Sequence, residues 1–208
     1  MKDIAVVGHS GFAKEIRWLI DRVNHIKPAW NFIGFIDDNQ VSDEVIGDDD
    51  FIRSYKKELA VVIAIGNPWI RKKVYEKYRE NKLLVFPNLI DPSAIISEDL
   101  SMGMGNIVCA GTVITVDVHI GDFNILNLDC TVGHEISISD FVTVNPSVNV
   151  SGNVKICAMS NIGAGAQILQ GVGIGVNAVI GAGAVVTRDI AGNCTAVGVP
   201  AKIIKGKG

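Results

Sequence analysis

Residues 162–186 read IGAGAQILQGVGIGVNAVIGAGAVV, and within that stretch Ile162, Ile168, Ile174, Ile180 and Val186 stand six apart. Followed backwards, the same phase runs through Ile156, Val150, Val144, Ile138, Val132, Leu126, Ile120, Ile114, Val108 and Met102 to Ile96. All sixteen positions are aliphatic or Met, in a chain whose overall hydrophobic share of 48% would fill about half of them by chance. Neither a helix nor an ordinary strand repeats every six residues, because their side-chain periods are 3.6 and 2. Six residues fit one short strand and one corner. Three such units make one triangular coil, so the run predicts a solenoid of about five coils, each stacked only on its neighbours.

The other phases agree. Directly after the aliphatic stand Gly103, Gly121, Gly133, Gly163, Gly175 and Gly181, with Asn127 and Asn145 among the rest. Gly and Asn tolerate positive φ, so these residues are expected at the corners. Two residues before the aliphatic stand Thr112, Cys130, Ala166, Ala178 and Ala184, small groups that suit the inside of a narrow prism.

The first half has a different character. Only five of the 22 glycines lie before Pro92, whereas all three Trp and all three Tyr lie before residue 79. A boundary between Pro87 and Pro92 is expected, giving an N-terminal domain over 1–90 and an all-β solenoid over 91–208 with a short C-terminal tail. In the first part, Ile4–Gly8 reads as a buried strand, and Phe12–Val23 carries Ile16, Leu19, Ile20 and Val23 at helical spacing. Asn31–Ile36, Leu59–Ile65 and Leu83–Pro87 read as further strands. Pro68 suits a first helical turn, with a basic helix following to Arg79. This alternation predicts a small Rossmann-like α/β domain with a parallel sheet, whose ligands lie at the carboxyl ends of the strands.

Three loops converge there: Gly8, His9, Ser10, Gly11 and Phe12; Asp37 and Asp38; Gly66 and Asn67. A glycine turn that opens a helix offers backbone N–H groups to phosphate, and acids ending the second strand are placed for a ribose or a base. The full GxGxxG fingerprint is absent, which favours one nucleotide over a dinucleotide.

Composition excludes several classes. A net charge of −3 gives no pull toward nucleic acid. No apolar run reaches the roughly 18 residues of a membrane span. The start, MKDIAVVGHSG, is not a basic signal peptide, so a cytoplasmic location is expected. Cys109, Cys130, Cys157 and Cys194 have no metal-ligand spacing and read as buried thiols. His119 and His134 are the two histidines of the repeat, too few for a three-imidazole zinc centre, so no metal is expected. His134 is followed at once by Glu135. An imidazole oriented by a carboxylate is a general base, provided that the corner curls enough for adjacent side chains to meet.

The six-residue run resembles the left-handed parallel β-helix of hexapeptide-repeat acyltransferases. The resemblance extends to Ile36-Asp37-Asp38, Ile65-Gly66-Asn67-Pro68 before Ile70-Arg71-Lys72-Lys73, Gly133-His134-Glu135, the segment from Val150 to Ile156, and Val197-Gly-Val-Pro-Ala-Lys202. Together these resemble the sugar N- and O-acetyltransferases that act on bacterial nucleotide amino sugars and sialic acids for surface glycans. The resemblance implies acetyl-CoA as co-substrate, His134 as base and Glu135 as its partner. It also implies Gly152, Asn153, Gly163, Ala164, Ala182 and Lys202 along the CoA groove, the three N-terminal loops around a UDP-, dTDP- or GDP-linked sugar, and a homotrimer. One position departs: many members carry His after the Ser-Gly of the first loop, where this chain has Phe12. O-acetylation of sialic acid is thus the competing expectation, and a non-catalytic sugar-nucleotide scaffold a weaker one.

Overall fold

The structure, a computed structural model, describes residues 1–39 and 42–206; the last two residues of the tail fall outside the described residues. The N-terminal part runs β1 (Lys2–Val7), α1 (Gly11–Ile26), β2 (Trp30–Ile36), β3 (Val45–Gly47), α2 (Asp49–Ser54), β4 (Leu59–Ile63), α3 (Pro68–Tyr78) and β5 (Leu84–Val85). The sheet order is β3-β2-β1-β4-β5, parallel throughout. Helix α1 buries Ala13, Ile16, Leu19 and Ile20, the face that its spacing predicts. Pro68 opens α3, and the Asn67 side chain accepts the N–H groups of Trp69 and Ile70. The sequence reading passed over β3 and α2, elements of three and six residues. The acidic run Asp48-Asp49-Asp50 is no bare loop. Asp48 caps α2 by accepting the N–H of Phe51, and the next two acids lie in its first turn.

From Leu89 to Val186 the chain is a three-sided left-handed parallel β-helix in which strands pair eighteen residues on, as Val113 does with Thr131 and Thr131 with Asn149; after it, Cys194–Val197 and Lys202–Gly206 form an antiparallel pair. The repeat aliphatics from Val108 to Val186 fill its interior; Ile96 and Met102, at the open end, are half-buried. Regularity ends where the last coil shortens: Ile174 bridges Ile190 and Ile180 pairs with Ala196, each two residues early.

The corner reading is corrected in phase. Left-handed φ falls three residues after the aliphatic, at Gly105, Gly111, Asp117, Phe123, Asp129, Glu135 and onward every sixth residue to Gly183. The glycines directly after the aliphatic answer to space instead: a Cβ on Gly163 would lie 2.5 Å from the Ala182 nitrogen of the next coil.

The two parts share a seam. Leu89, Ile107 and Ile125 of one solenoid face join the core formed by α1 and the sheet. Beside them Tyr75 of α3 packs on Phe123 at 4.2 Å, and Phe123 stacks on Phe141 of the next coil. Arg22 of α1 donates two hydrogen bonds to Asp91, at 2.6 and 2.9 Å.

Candidate functional site

A cavity of about 250 Å³ opens at the carboxyl ends of β1, β2 and β4. Gly8, Asp37, Asp38 and Ile65 line it, together with Asn39, Asp49, Lys73 and Lys77. Gly8 has φ 100°, a left-handed conformation that favours glycine, and a Cβ there would stand a tight 3.3 Å from the Ala64 carbonyl oxygen. Ser10 precedes α1 without capping it by its side chain, which leaves the first-turn amides open. Gly11 is exposed beside it. His9 and Phe12 turn elsewhere: the His9 ring packs on Phe35 at 5.0 Å, and Phe12 is half-buried against the α1 core.

The rim of the cavity is a charged network. Asp38 accepts the Asp49 N–H at 2.9 Å, and Asp37 accepts the Asn39 N–H at 2.9 Å. Asp49 is held by Lys77 and by the Tyr78 hydroxyl. Burial would raise the Asp49 pKa, yet the bonds from Lys77 and Tyr78 outweigh it and keep the carboxyl below its usual value. Lys73 forms no ion pair among the described residues and is exposed at the rim. The sequence reading missed Asp49, Lys73 and Lys77. The lysines were legible, being four apart on one face of α3. Asp49 was not, because α2 went unread.

Gly66 and Asn67 follow Ile65 at the cavity edge. The Gly66 carbonyl accepts from Thr143 Oγ1 at 2.7 Å and from Arg71 Nη1 at 3.1 Å. Arg71 itself is 1% exposed, and burial pushes its pKa down to about 9. Its remaining bonds go to the carbonyls of Ile65, Phe123 and Val142 and to Thr143 Oγ1, between 2.6 and 3.1 Å.

On the solenoid, Glu135 has φ 57°, and this left-handed residue lets neighbouring side chains converge. His134 Nδ1 lies 3.0 Å from Glu135 Oε2. The carboxylate selects the tautomer with hydrogen on Nδ1, which leaves a lone pair on Nε2, an atom with no partner among the described residues. Both side chains are more than half exposed. Gly152 lies one coil on, under the imidazole; the Asn153 N–H donates to the His134 carbonyl at 2.8 Å. At another corner, Gly163 stacks under Ala182, and the exposed Ala164 and Ala182 have amides with no acceptor among the described residues. Lys202, exposed on the last strand, lines a hollow with Arg188 and Asp189. No residue of the His134 corner lines the nucleotide-sized cavity. Cys130 is buried, and burial lifts its thiol to about 11, so it is no nucleophile at neutral pH. Among the described residues no cluster of three or more His, Cys, Asp or Glu could hold a metal ion, and no helix is long and apolar enough to cross a membrane.

A family model described as the PglD N-terminal domain matches residues 3–78. The acetyltransferase domain of PglB from Neisseria gonorrhoeae, solved with acetyl coenzyme A, is 30% identical and superposes with a TM-score of 0.89, covering 98% of this chain and 99% of its own. The chain belongs to the hexapeptide-repeat sugar acetyltransferase family. Another acetyltransferase structure, a mutant of perosamine N-acetyltransferase from Caulobacter crescentus with CoA and GDP-perosamine, is 28% identical at a TM-score of 0.91, over 100% of this chain and 98% of that one. WeeI from Acinetobacter baumannii is 29% identical at 0.85, over 98% and 100%. No curated protein matched the sequence. Within this acetyltransferase family, the departure at Phe12 falls on a core-packed residue and not on the cavity lining.

Proposed function

We propose that this acetyltransferase moves the acetyl group of acetyl-CoA onto the amine of a nucleotide-linked 4-amino sugar. The observation that carries the reading is the His134–Glu135 pair at 3.0 Å, with Nε2 left without a partner among the described residues. Nε2 takes a proton from the acceptor amine as its nitrogen attacks the thioester carbon. The C–N bond forms, the tetrahedral adduct collapses, the C–S bond breaks, and the imidazolium returns the proton to the departing thiolate. No acyl-enzyme is needed. Glu135 holds the tautomer and stabilises the imidazolium. Gly152, Asn153, Gly163, Ala164, Ala182 and Lys202 would follow the donor along the solenoid, with open corner amides available to pantetheine. The cavity at Gly8, Asp37 and Asp38, with Lys73 at its mouth, suits the acceptor's nucleotide, since cations there match the diphosphate.

The assembly is a homotrimer in this reading. One solenoid face presents Ile95, Val113, Thr131, Asn149, Gln167 and Val185, without a single charge. The next face carries His119 and Lys155, and the third is partly covered by the N-terminal domain. His134 follows Thr131 and Val132 at the edge of the uncharged face, where a neighbour would complete the site. Both substrates are charged molecules that do not cross membranes unaided, so the work belongs in the cytoplasm.

The test is a panel of UDP-, dTDP- and GDP-linked amino sugars and free sialic acid, each supplied with acetyl-CoA, with thiol release as the readout. Turnover of a nucleotide amino sugar is the expected result. Turnover of sialic acid alone would overturn the reading in favour of O-acetylation.

A further inference from the structure

Arg71 is buried without a carboxylate partner among the described residues, and each bond it makes to them ends on an oxygen of one of two places. One place is the Ile65–Gly66 turn at the cavity edge; the other is the solenoid, at Phe123, Val142 and Thr143. We infer that Arg71, with Thr143, is a positioning residue for the acceptor, setting the Ile65–Asn67 turn so that its amides meet the nucleotide's phosphates. The inference rests on the nucleotide-sugar reading above.

The geometry of the peptide bond supplies the link. In a trans peptide the carbonyl and the following N–H point in opposite directions. The only cis bond in the described chain is Val199–Pro200. With the carbonyls of Ile65 and Gly66 drawn inward to the guanidinium, the N–H groups of Gly66 and Asn67 are turned outward. Neither has an acceptor among the described residues. Ile65 lines the cavity together with Lys73 and Lys77, and the exposed Gly66 and Asn67 follow it directly in the chain. A side chain needed only for filling space would be better apolar, because a buried unpaired charge is costly. Arg71 keeps its charge where three of its acceptors belong to the solenoid, the part that carries His134. The attitude of the nucleotide turn is therefore registered to the frame of the general base.

The experiment measures kcat, the KM for the nucleotide sugar and the KM for acetyl-CoA, with melting temperature, for wild type, Arg71→Lys and Thr143→Val. Thr143→Val keeps the shape and removes one of the two donors on the Gly66 carbonyl. It is expected to raise the acceptor KM about fivefold, and Arg71→Lys about tenfold or more, with the acetyl-CoA KM unchanged. A merely structural role would lower the melting temperature and the active fraction, hence the apparent kcat, and leave the acceptor KM alone. That pattern, or an unchanged acceptor KM in Thr143→Val, overturns the inference; should Arg71→Lys not fold, Thr143→Val decides alone. A wild type that turns over no nucleotide sugar sinks the functional reading instead, so the two failures are distinct.

Discussion

The imidazole of His134 rests against the α-carbon of Gly152, the residue that occupies its place one coil further on. A methyl group there would overlap ring atoms Cε1 and Nε2, while the backbone at 152 lies outside the left-handed region and accepts alanine without strain. Gly152→Ala is expected to fold normally and to lose about 10²-fold in kcat, the scale of a roughly 1 Å displacement of a catalytic group. Steady-state kinetics checks this, and a kcat within twofold of wild type would show that the ring is not positioned by that contact.

Replacing the base itself should cost more. His134→Ala is expected to lose about 10²- to 10⁴-fold in kcat. Glu135→Gln keeps the left-handed backbone strain constant while removing the charge, and its loss should be smaller because Glu135 orients and does not accept the proton. If Glu135→Gln proved the more damaging, the two roles would be reversed.

The assignment of the nucleotide to the cavity is tested through Asp38, which accepts the Asp49 N–H, and Lys73, which has no ion pair among the described residues. Asp38→Ala is expected to raise the acceptor KM about 10-fold or more, and Lys73→Ala likewise, leaving the KM for acetyl-CoA as it was. Binding shared by ground and transition states shows in KM. Acceptor KM values equal to wild type in both variants would remove the nucleotide from this cavity.

The uncharged solenoid face makes an assembly prediction. Asn149 lies at its centre, bonded to Thr131 Oγ1 at 2.6 Å. In the proposed trimer Asn149→Arg would place unpaired charge in the subunit interface, so sedimentation should show one third of the wild-type mass, with activity falling alongside. A fully active monomeric wild type would refute the shared site.

Acid should weaken the seam at Asp91. Burial alone would raise the pKa of Asp91, but bonds from Arg22 and Ser93 hold it below the usual carboxylate value. A depressed folded-state pKa contributes stability in full above the unfolded value, about 3.9, and that stability is lost as pH falls through the folded value. Asp91→Asn should therefore lower the melting temperature at pH 6, and the gap from wild type should narrow below about pH 4. A gap independent of pH would mean that the ion pair contributes nothing.

Much of the candidate site's geometry was readable because its parts are local. Gly8, Asp37 and Asp38 each end a strand, and parallel strands bring their carboxyl ends together wherever they lie in the chain. His134 and Glu135 are adjacent, so their pairing needed only one residue's backbone to curl. Asp49 and Lys77 were different: they meet across 28 residues through a six-residue helix too short to leave a periodic signal. Arg71 read as one more cation of a basic helix, and nothing local marks it as buried.

The solenoid was determined by the sequence itself, since an aliphatic every sixth residue has one geometric solution and its contacts are always one coil away. The βαβ pattern likewise determined the parallel sheet. Tertiary structure alone decided which residue of each corner turns left-handed, because the coil-to-coil pairing puts the turn three residues after the aliphatic, on residues as different as Gly105, Phe123 and Glu135. It alone decided that the Ile65–Asn67 turn is fastened to Phe123, Val142 and Thr143 through Arg71. Hydrogen bonds between residues 52 to 77 positions apart depend on how the sheet and α3 pack against the solenoid, and no local spacing encodes that.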